Sequence, residues 1–129
     1  MLLTALVDAV RMAAEDAVPF EACGLITDSG ALVKCENVAK DRARQFCISP
    51  DEYRRAAKRM KIVGVYHSHV NGGAYVSVHD RDGMGFAGLY VVASVMHGVG
   101  REVKVWNHKD GKFTPVTIPG QGKDNGQQT

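Results

Sequence analysis

Long apolar runs are missing from this chain. No stretch approaches the roughly 20 consecutive apolar residues of a membrane-crossing helix, so neither a transmembrane segment nor a membrane partner is expected. A basic leader is missing too: Met1 to Val7 is apolar, but Asp8, Arg11, Glu15 and Asp16 turn the segment into an amphipathic helix rather than a signal peptide. Cysteine is scarce, with only Cys23, Cys35 and Cys47 at even intervals of twelve residues. An odd count without framework spacing excludes a disulfide-stapled secreted domain and suits a reducing compartment, so a cytoplasmic location is expected. The even spacing invites a second-metal reading, yet buried small apolar side chains on strands are the expected role. Net charge is also small, +2. Arg42, Arg44, Arg54, Arg55, Lys58, Arg59 and Lys61 are interleaved with acids or fall on helix positions, so they read as a solvated face and nucleic acid is not an expected partner. No internal repeat is present.

What remains is one catalytic-sized domain: 129 residues with 45% hydrophobic content can bury a single core. Apolar spacing predicts a helix over Leu2 to Ala17 and a strand over Ala22 to Thr27, with Asp28-Ser29-Gly30 turning into a strand over Ala31 to Glu36. A short strand is expected at Gln45 to Ile48. Ser49 as N-cap and Pro50 at the first helical position announce a helix to about Arg59. A strand over Ile62 to His69 follows, then a loop, a short helix from about Val78 and an apolar strand over Leu89 to Val95. Val103 to Asn107 and Lys112 to Ile118 form a hairpin turned by Lys109-Asp110-Gly111. His97 and His108 are expected at exposed strand-end or turn positions, and Trp106 in packing. The expected fold is α/β, a single domain over residues 1–118 in which a mixed β-sheet is packed by a long N-terminal helix and a middle helix. The polar tail over residues 119–129 lacks apolar periodicity and is expected to be disordered.

Chemistry concentrates at His67-Ser68-His69 and Ser77-Val78-His79-Asp80. Ile62-Val63-Gly64-Val65-Tyr66 is a buried-strand run, so His67 and His69 fall at its end on one face, about 6.7 Å apart at Cα, close enough to share a zinc at ~2.1 Å. Ser68 then faces away. The glycine-containing turn from Val70 to Val76 lets the chain double back, and Ser77 to Asp80 reads as a helix start that delivers Asp80 as a third ligand. Two neutral imidazoles and one carboxylate leave a fourth position for water, the ligand count of a catalytic Zn²⁺ rather than a structural one.

Each element has an ordinary explanation as well. His67 and His69 read equally as strand-end histidines, and Ser77-x-x-Asp80 as a helix cap satisfying free backbone N–H groups. His79 and Asp82 flank Asp80 as substitute ligands, although spacing favours Asp80. Gly83-Met84-Gly85-Phe86-Ala87-Gly88 matches a dinucleotide-binding glycine pattern but leads into a strand instead of opening a helix, so a helix C-cap or tight connection accounts for it better. Zinc nucleobase deaminases need a Pro-Cys-x-x-Cys segment, which this chain lacks.

Upstream, Glu21 precedes the apolar strand Ala22-Cys23-Gly24-Leu25-Ile26. With the histidine motif, this layout resembles the JAMM/MPN metallopeptidase family, whose pattern is a distant Glu, His-Ser/Thr-His, about seven residues and Ser-x-x-Asp, and the match spans most of the chain. The resemblance implies a JAMM/MPN-like, cytidine-deaminase-like layout and zinc on His67, His69 and Asp80. It implies Glu21 as general acid/base and Ser77 as oxyanion stabiliser, hence hydrolysis of a peptide or isopeptide bond. Val70 and Val76 depart from the family, in which proline is frequent at both places; no ligand is lost, but loop stiffness is affected.

Glu21 to Ile26, Asn37, and Phe46-x-Ile48-x-Pro50-x-x-Tyr53 are most similar to bacterial and phage members, including the peptidase module of phage tail-assembly proteins and enzymes that trim ubiquitin-like sulfur carriers. Expected substrates are therefore a ubiquitin-like carrier tail or a phage or cell-wall peptide. The phage resemblance also implies a cell-wall hydrolase domain, here expected on a separate chain, or another tail component as partner. Eukaryotic deubiquitinating relatives carry insertions for which this chain has little room. The competing expectation is a non-catalytic MPN-type protein-binding module. Oligomeric state is open, with the edge of the terminal hairpin as a candidate contact.

Overall fold

The computed structural model describes residues 1–77 and 88–120. The expected helix from about Val78, the Gly83 to Gly88 connection before Gly88 itself, His79, Asp80, Asp82 and the tail over residues 121–129 lie outside the described residues. Helix α1 (Leu3–Ala17) is followed by strands β1 (Cys23–Thr27) and β2 (Leu32–Lys34), helix α2 (Pro50–Arg59), and strands β3 (Ile62–Val70), β4 (Gly88–Met96), β5 (Val99–Lys109) and β6 (Lys112–Val116). The strands form one six-stranded sheet in the order β2-β1-β3-β4-β5-β6. Only β3 and β4 run parallel. The domain is thus an α/β fold with a mixed sheet and a helix on each side.

Period-2 alternation divides the central strands between two cores. Ile26, Tyr66, Val91, Ala93, Val95, Val103 and Val105 face α1. The helix meets them with Leu6, Val7, Val10, Ala13 and Ala14, the i, i+3, i+4 stripe of an amphipathic helix. Leu25, Val65, Tyr90 and Val92 project from the opposite face toward Ala56 and Tyr53 of α2. Because both faces are covered, β1 is buried at every position and reads as a continuous run rather than an alternation. Two hydrogen bonds from α1 to β5 lock the helix onto the sheet: Gly100 N–H donates to Glu15 Oε2 at 2.7 Å, and Arg11 Nε–H donates to the Arg101 carbonyl at 3.0 Å.

Gly24 is where β1, β2 and β3 come closest. A Cβ there would overlap both the Tyr66 ring and the Val33 carbonyl oxygen, and the backbone atom cannot swing aside. Gly24→Ala should therefore destabilise the fold by about 3 kcal/mol, at the upper end of overpacking costs, read as a lower denaturant midpoint with unchanged slope. A loss below about 0.5 kcal/mol would show that the three strands tolerate separation.

Several boundaries differ from the sequence reading. Gln45 to Ile48 is not a strand. Its ladder bonds are diverted: Cys47 N–H donates to the Asn37 side-chain oxygen at 3.2 Å, and only Val38 N–H to Cys47 O, at 2.9 Å, resembles strand pairing. Strand β5 begins at Val99 rather than Val103, because His97 (φ 52°) and Gly98 (φ 81°) form a two-residue left-handed turn joining it to β4. Asp110 (φ 52°) and Gly111 (φ 78°) do the same for β5 and β6. His97 is exposed, as expected, but His108 is buried, its ring 4.4 Å from that of Phe113. His108 lies opposite Gly88, which adds no side chain of its own beside it. Ser49 occupies the N-cap of α2 without a side-chain capping bond. Cys23 is buried on β1, whereas Cys35 lies just past β2 and Cys47 is an exposed loop residue.

Candidate metal centre and cleft

The pleat of β3 sends His67 and His69 to the α2 side and Ser68 to the α1 side. Ser68 is fully buried and grips the residue beside Glu21 twice: Ala22 N–H donates to Ser68 Oγ at 2.8 Å, and Ser68 N–H donates to the Ala22 carbonyl at 3.1 Å. That double bond ties the start of β1 to the histidine end of β3. Glu21 is buried there, 5% exposed, with Oε1 3.5 Å from His67 Nδ1. The His67 and His69 rings lie 4.9 Å apart between centroids, edge to face.

Each imidazole is held from outside. His69 Nδ1–H donates to the Gly73 carbonyl at 2.8 Å, so a neutral ring presents its lone pair on Nε2. His67 Nε2 is 2.7 Å from the Tyr90 hydroxyl, a bond whose donor depends on the ring tautomer, while Nδ1 is the edge turned to Glu21. Phe46 stacks on the other side of His67 at 4.2 Å and 18°. Supports of this kind fix the ring and tautomer of metal-ligating histidines, and removing one typically costs ten- to a hundredfold in affinity. Tyr90→Phe should accordingly weaken zinc binding about 10–100-fold with little change in unfolding midpoint of the metal-free protein, measured by chelator competition. Wild-type affinity in the variant would show that the hydroxyl does not orient His67. Nothing in the sequence distinguished Tyr90 from the apolar residues around it; only the parallel register, Val65 opposite Tyr90 and His67 opposite Val92, brings it beside the motif.

Glu21 is fixed from a second direction. Its N–H donates to the Arg42 carbonyl at 2.8 Å, and Asn37 Nδ2 lies 3.1 Å from the Glu21 carbonyl. The same Asn37 amide reaches the carbonyls of Arg42 and Gln45, and its oxygen accepts from Ala39 and Cys47 N–H. One side chain thus replaces a strand ladder and holds the 38–47 loop against the Glu21 backbone. The loop faces the segment after His69, and between them lies a cleft of about 680 Å³. Glu21 and His69 line it, as do Phe46, Tyr75 and Ser77.

The structure therefore gathers Glu21, His67, His69 and Ser77 around one end of β1 and β3. Asp80 lies outside the described residues, and among the described residues no three ligating side chains form a metal-holding group. The donor chemistry nevertheless fits zinc: two buried imidazoles converge, each anchored through a hydrogen bond at one ring nitrogen. Two of the three thiols do not compete. Burial first, then the neighbouring Cys35, pushes Cys23 up to about 12, and burial followed by Glu52 does the same to Cys35, so both remain protonated at neutral pH.

A six-stranded mixed sheet between two helices is a fold that a solved JAB1/MPN structure shares. A family model described as prokaryotic homologs of the JAB domain matches residues 3–109, and the chain belongs to this family. Solved structures agree in fold. A JAB1/MPN domain protein from Archaeoglobus fulgidus is 19% identical with a TM-score of 0.59, covering 88% of this chain and 91% of that one. A protein from Desulfitobacterium hafniense is 21% identical (TM-score 0.70; 88% and 87% covered). One from Salinibacter ruber is 29% identical (TM-score 0.63; 92% and 90% covered). No curated protein matches the chain. Among the described residues no helix is long and apolar enough to cross a membrane.

Proposed function

We propose that the protein is a zinc-dependent peptidase or isopeptidase of the JAMM type. The observation that carries this reading is the convergence of Glu21, His67 and His69 at one end of β1 and β3, where Glu21 and His69 line the cleft, His67 Nδ1 is 3.5 Å from Glu21 Oε1 and the two imidazole rings are 4.9 Å apart. His67 and His69 would hold the metal, with Asp80 as the third ligand that the motif implies. Zinc bound there supplies a Lewis acid and acidifies water.

Glu21 takes up the proton from the attacking water on its carboxylate and returns it to the departing amine, the general acid/base role of a carboxylate in amide hydrolysis. Its two backbone anchors fix the main chain from which that carboxylate reaches His67. Ser77 donates its hydroxyl to the oxyanion of the tetrahedral intermediate. Phe46 and Tyr90 enclose His67 and keep water from its imidazole.

Substrates of this reading are a ubiquitin-like carrier tail or a phage or cell-wall peptide, in a reducing, cytoplasmic setting. A cell-wall hydrolase or a phage tail component is the companion that the resemblance to phage members implies. The test is a panel of carrier proteins bearing a C-terminal extension and of cell-wall stem peptides, incubated with zinc-loaded protein and with Glu21→Gln as control. Cleavage by wild type alone supports the reading. A fully zinc-loaded wild type that cuts none of them would favour a non-catalytic binding module of the same fold.

A further inference from the structure

The cleft has a charge pattern that the zinc chemistry does not require. Its outer wall is the loop over residues 38–47, which carries three cations, Lys40, Arg42 and Arg44, and a single acid, Asp41. Arg42 is turned away from the cleft, its guanidinium 4.1 Å above the Phe20 ring. Lys40 and Arg44 line the cleft and are exposed. Among the described residues Arg44 pairs with Asp41, at 3.9 Å and with both side chains half or more exposed, so it is weakly held. Among the described lining residues Glu21 is the one carboxylate, and it lies at the floor beside His67.

The described part of the opposite wall carries no charged side chain: beyond His69 it is lined by Val70, Asn71, Gly72, Tyr75 and Ser77. Tyr75 is 53% exposed with its ring 4.6 Å from His69, and across the cleft Val38 is 46% exposed. Gly72 and Gly73 precede Tyr75, and a Cβ at either would meet only ordinary contacts at 3.7 and 3.6 Å. Internal packing does not demand glycine at these positions, and their bareness leaves room for a chain lying along the cleft.

We propose that the cleft selects an extended peptide with an acidic side chain next to the scissile bond. This rests on the peptidase reading above and names its substrate class. Glu21 and His69 hold the reacting carbonyl's end of the cleft; Lys40 and Arg44 face the neighbouring residue, and Tyr75 and Val38 cover its aliphatic part. A carboxylate there meets two cations with little competition, whereas a basic side chain meets like charge. Exposed pairs are individually weak, so the expected discrimination between acidic and basic residues is roughly tenfold and shrinks with added salt.

The experiment treats a library of proteome-derived peptides with the zinc-loaded full chain and reads cleavage-site composition by mass spectrometry, alongside the doubly substituted Lys40→Glu, Arg44→Glu protein. The expected result is Asp and Glu enriched about tenfold beside the cut in wild type, replaced by Lys and Arg in the charge-reversed protein. Cleavage without acid enrichment, or a preference unchanged by the reversal, overturns the substrate class and leaves the peptidase reading standing. No cleavage anywhere in the library by protein holding its zinc overturns the peptidase reading, and the substrate class falls with it.

Discussion

Glu21→Gln is expected to reduce turnover by at least 10²- to 10⁴-fold, the usual contribution of a positioned general acid/base, while zinc content and unfolding midpoint stay at wild-type values. The amide is nearly isosteric with the carboxylate, so the backbone anchors survive: Glu21 N–H to the Arg42 carbonyl, and the Asn37 amide to the Glu21 carbonyl. What is lost is the ability to accept and return a proton at the side-chain oxygen 3.5 Å from His67. A residue that merely filled the buried floor would lose little activity on this exchange. The comparison is kcat on any substrate the wild type cuts, with metal content measured on the same samples. Undiminished turnover would take Glu21 out of the mechanism.

The second large effect separates the two histidines. His67→Ala and His69→Ala should each abolish stoichiometric zinc binding, yet they should differ in the stability of the metal-free fold. His67 has no exposed surface and is enclosed between Phe46 and Tyr90, so truncation leaves a cavity among aromatic rings and costs about 3 kcal/mol. His69 is 8% exposed at the cleft, where its main structural tie is the bond to the Gly73 carbonyl, and its loss costs about 1 kcal/mol. Denaturant unfolding in excess chelator gives both numbers. Wild-type zinc content in either variant would remove that ring from the metal site.

How much of this was legible in the sequence depended on whether one residue's neighbours were local. Helix α1 and strand β3 follow from the spacing of Leu6, Val7 and Val10 and from the apolar run before His67, and the placing of Ser68 on the face opposite the histidines follows from strand alternation alone. The 45–48 segment misled because Phe46 and Ile48 alternate as a buried strand does. Their side chains do join the α2-side core, but the backbone bonds go to the Asn37 side chain, which composition cannot announce. His108 misled for a related reason: histidine near a turn reads as exposed until the antiparallel register places it opposite Gly88 and beside Phe113.

At the site, the histidines announced themselves by pattern and Glu21 by its family context, whereas Tyr90 was hidden. It sits 23 residues from His67 in an apolar strand, and only the parallel pairing of β3 with β4 makes it a hydrogen-bond partner. Arg44 was read as part of a solvated face, and Lys40 was not singled out. Exposed they are, but the loop that Asn37 organises turns them toward the cleft and turns Arg42 away, a distinction that charge spacing does not contain. The cysteines show the converse. Equal spacing suggested a common role, and the fold disperses them between a buried strand, a half-buried strand end and an exposed loop.

The central claim is that this end of the sheet is a metal centre, and its most direct test is the zinc content of protein purified without chelator, by elemental mass spectrometry, for wild type, His69→Ala and Asp80→Ala. The account predicts close to one zinc per wild-type chain and almost none in either variant. A folded wild type that takes up no zinc when the metal is supplied would contradict it.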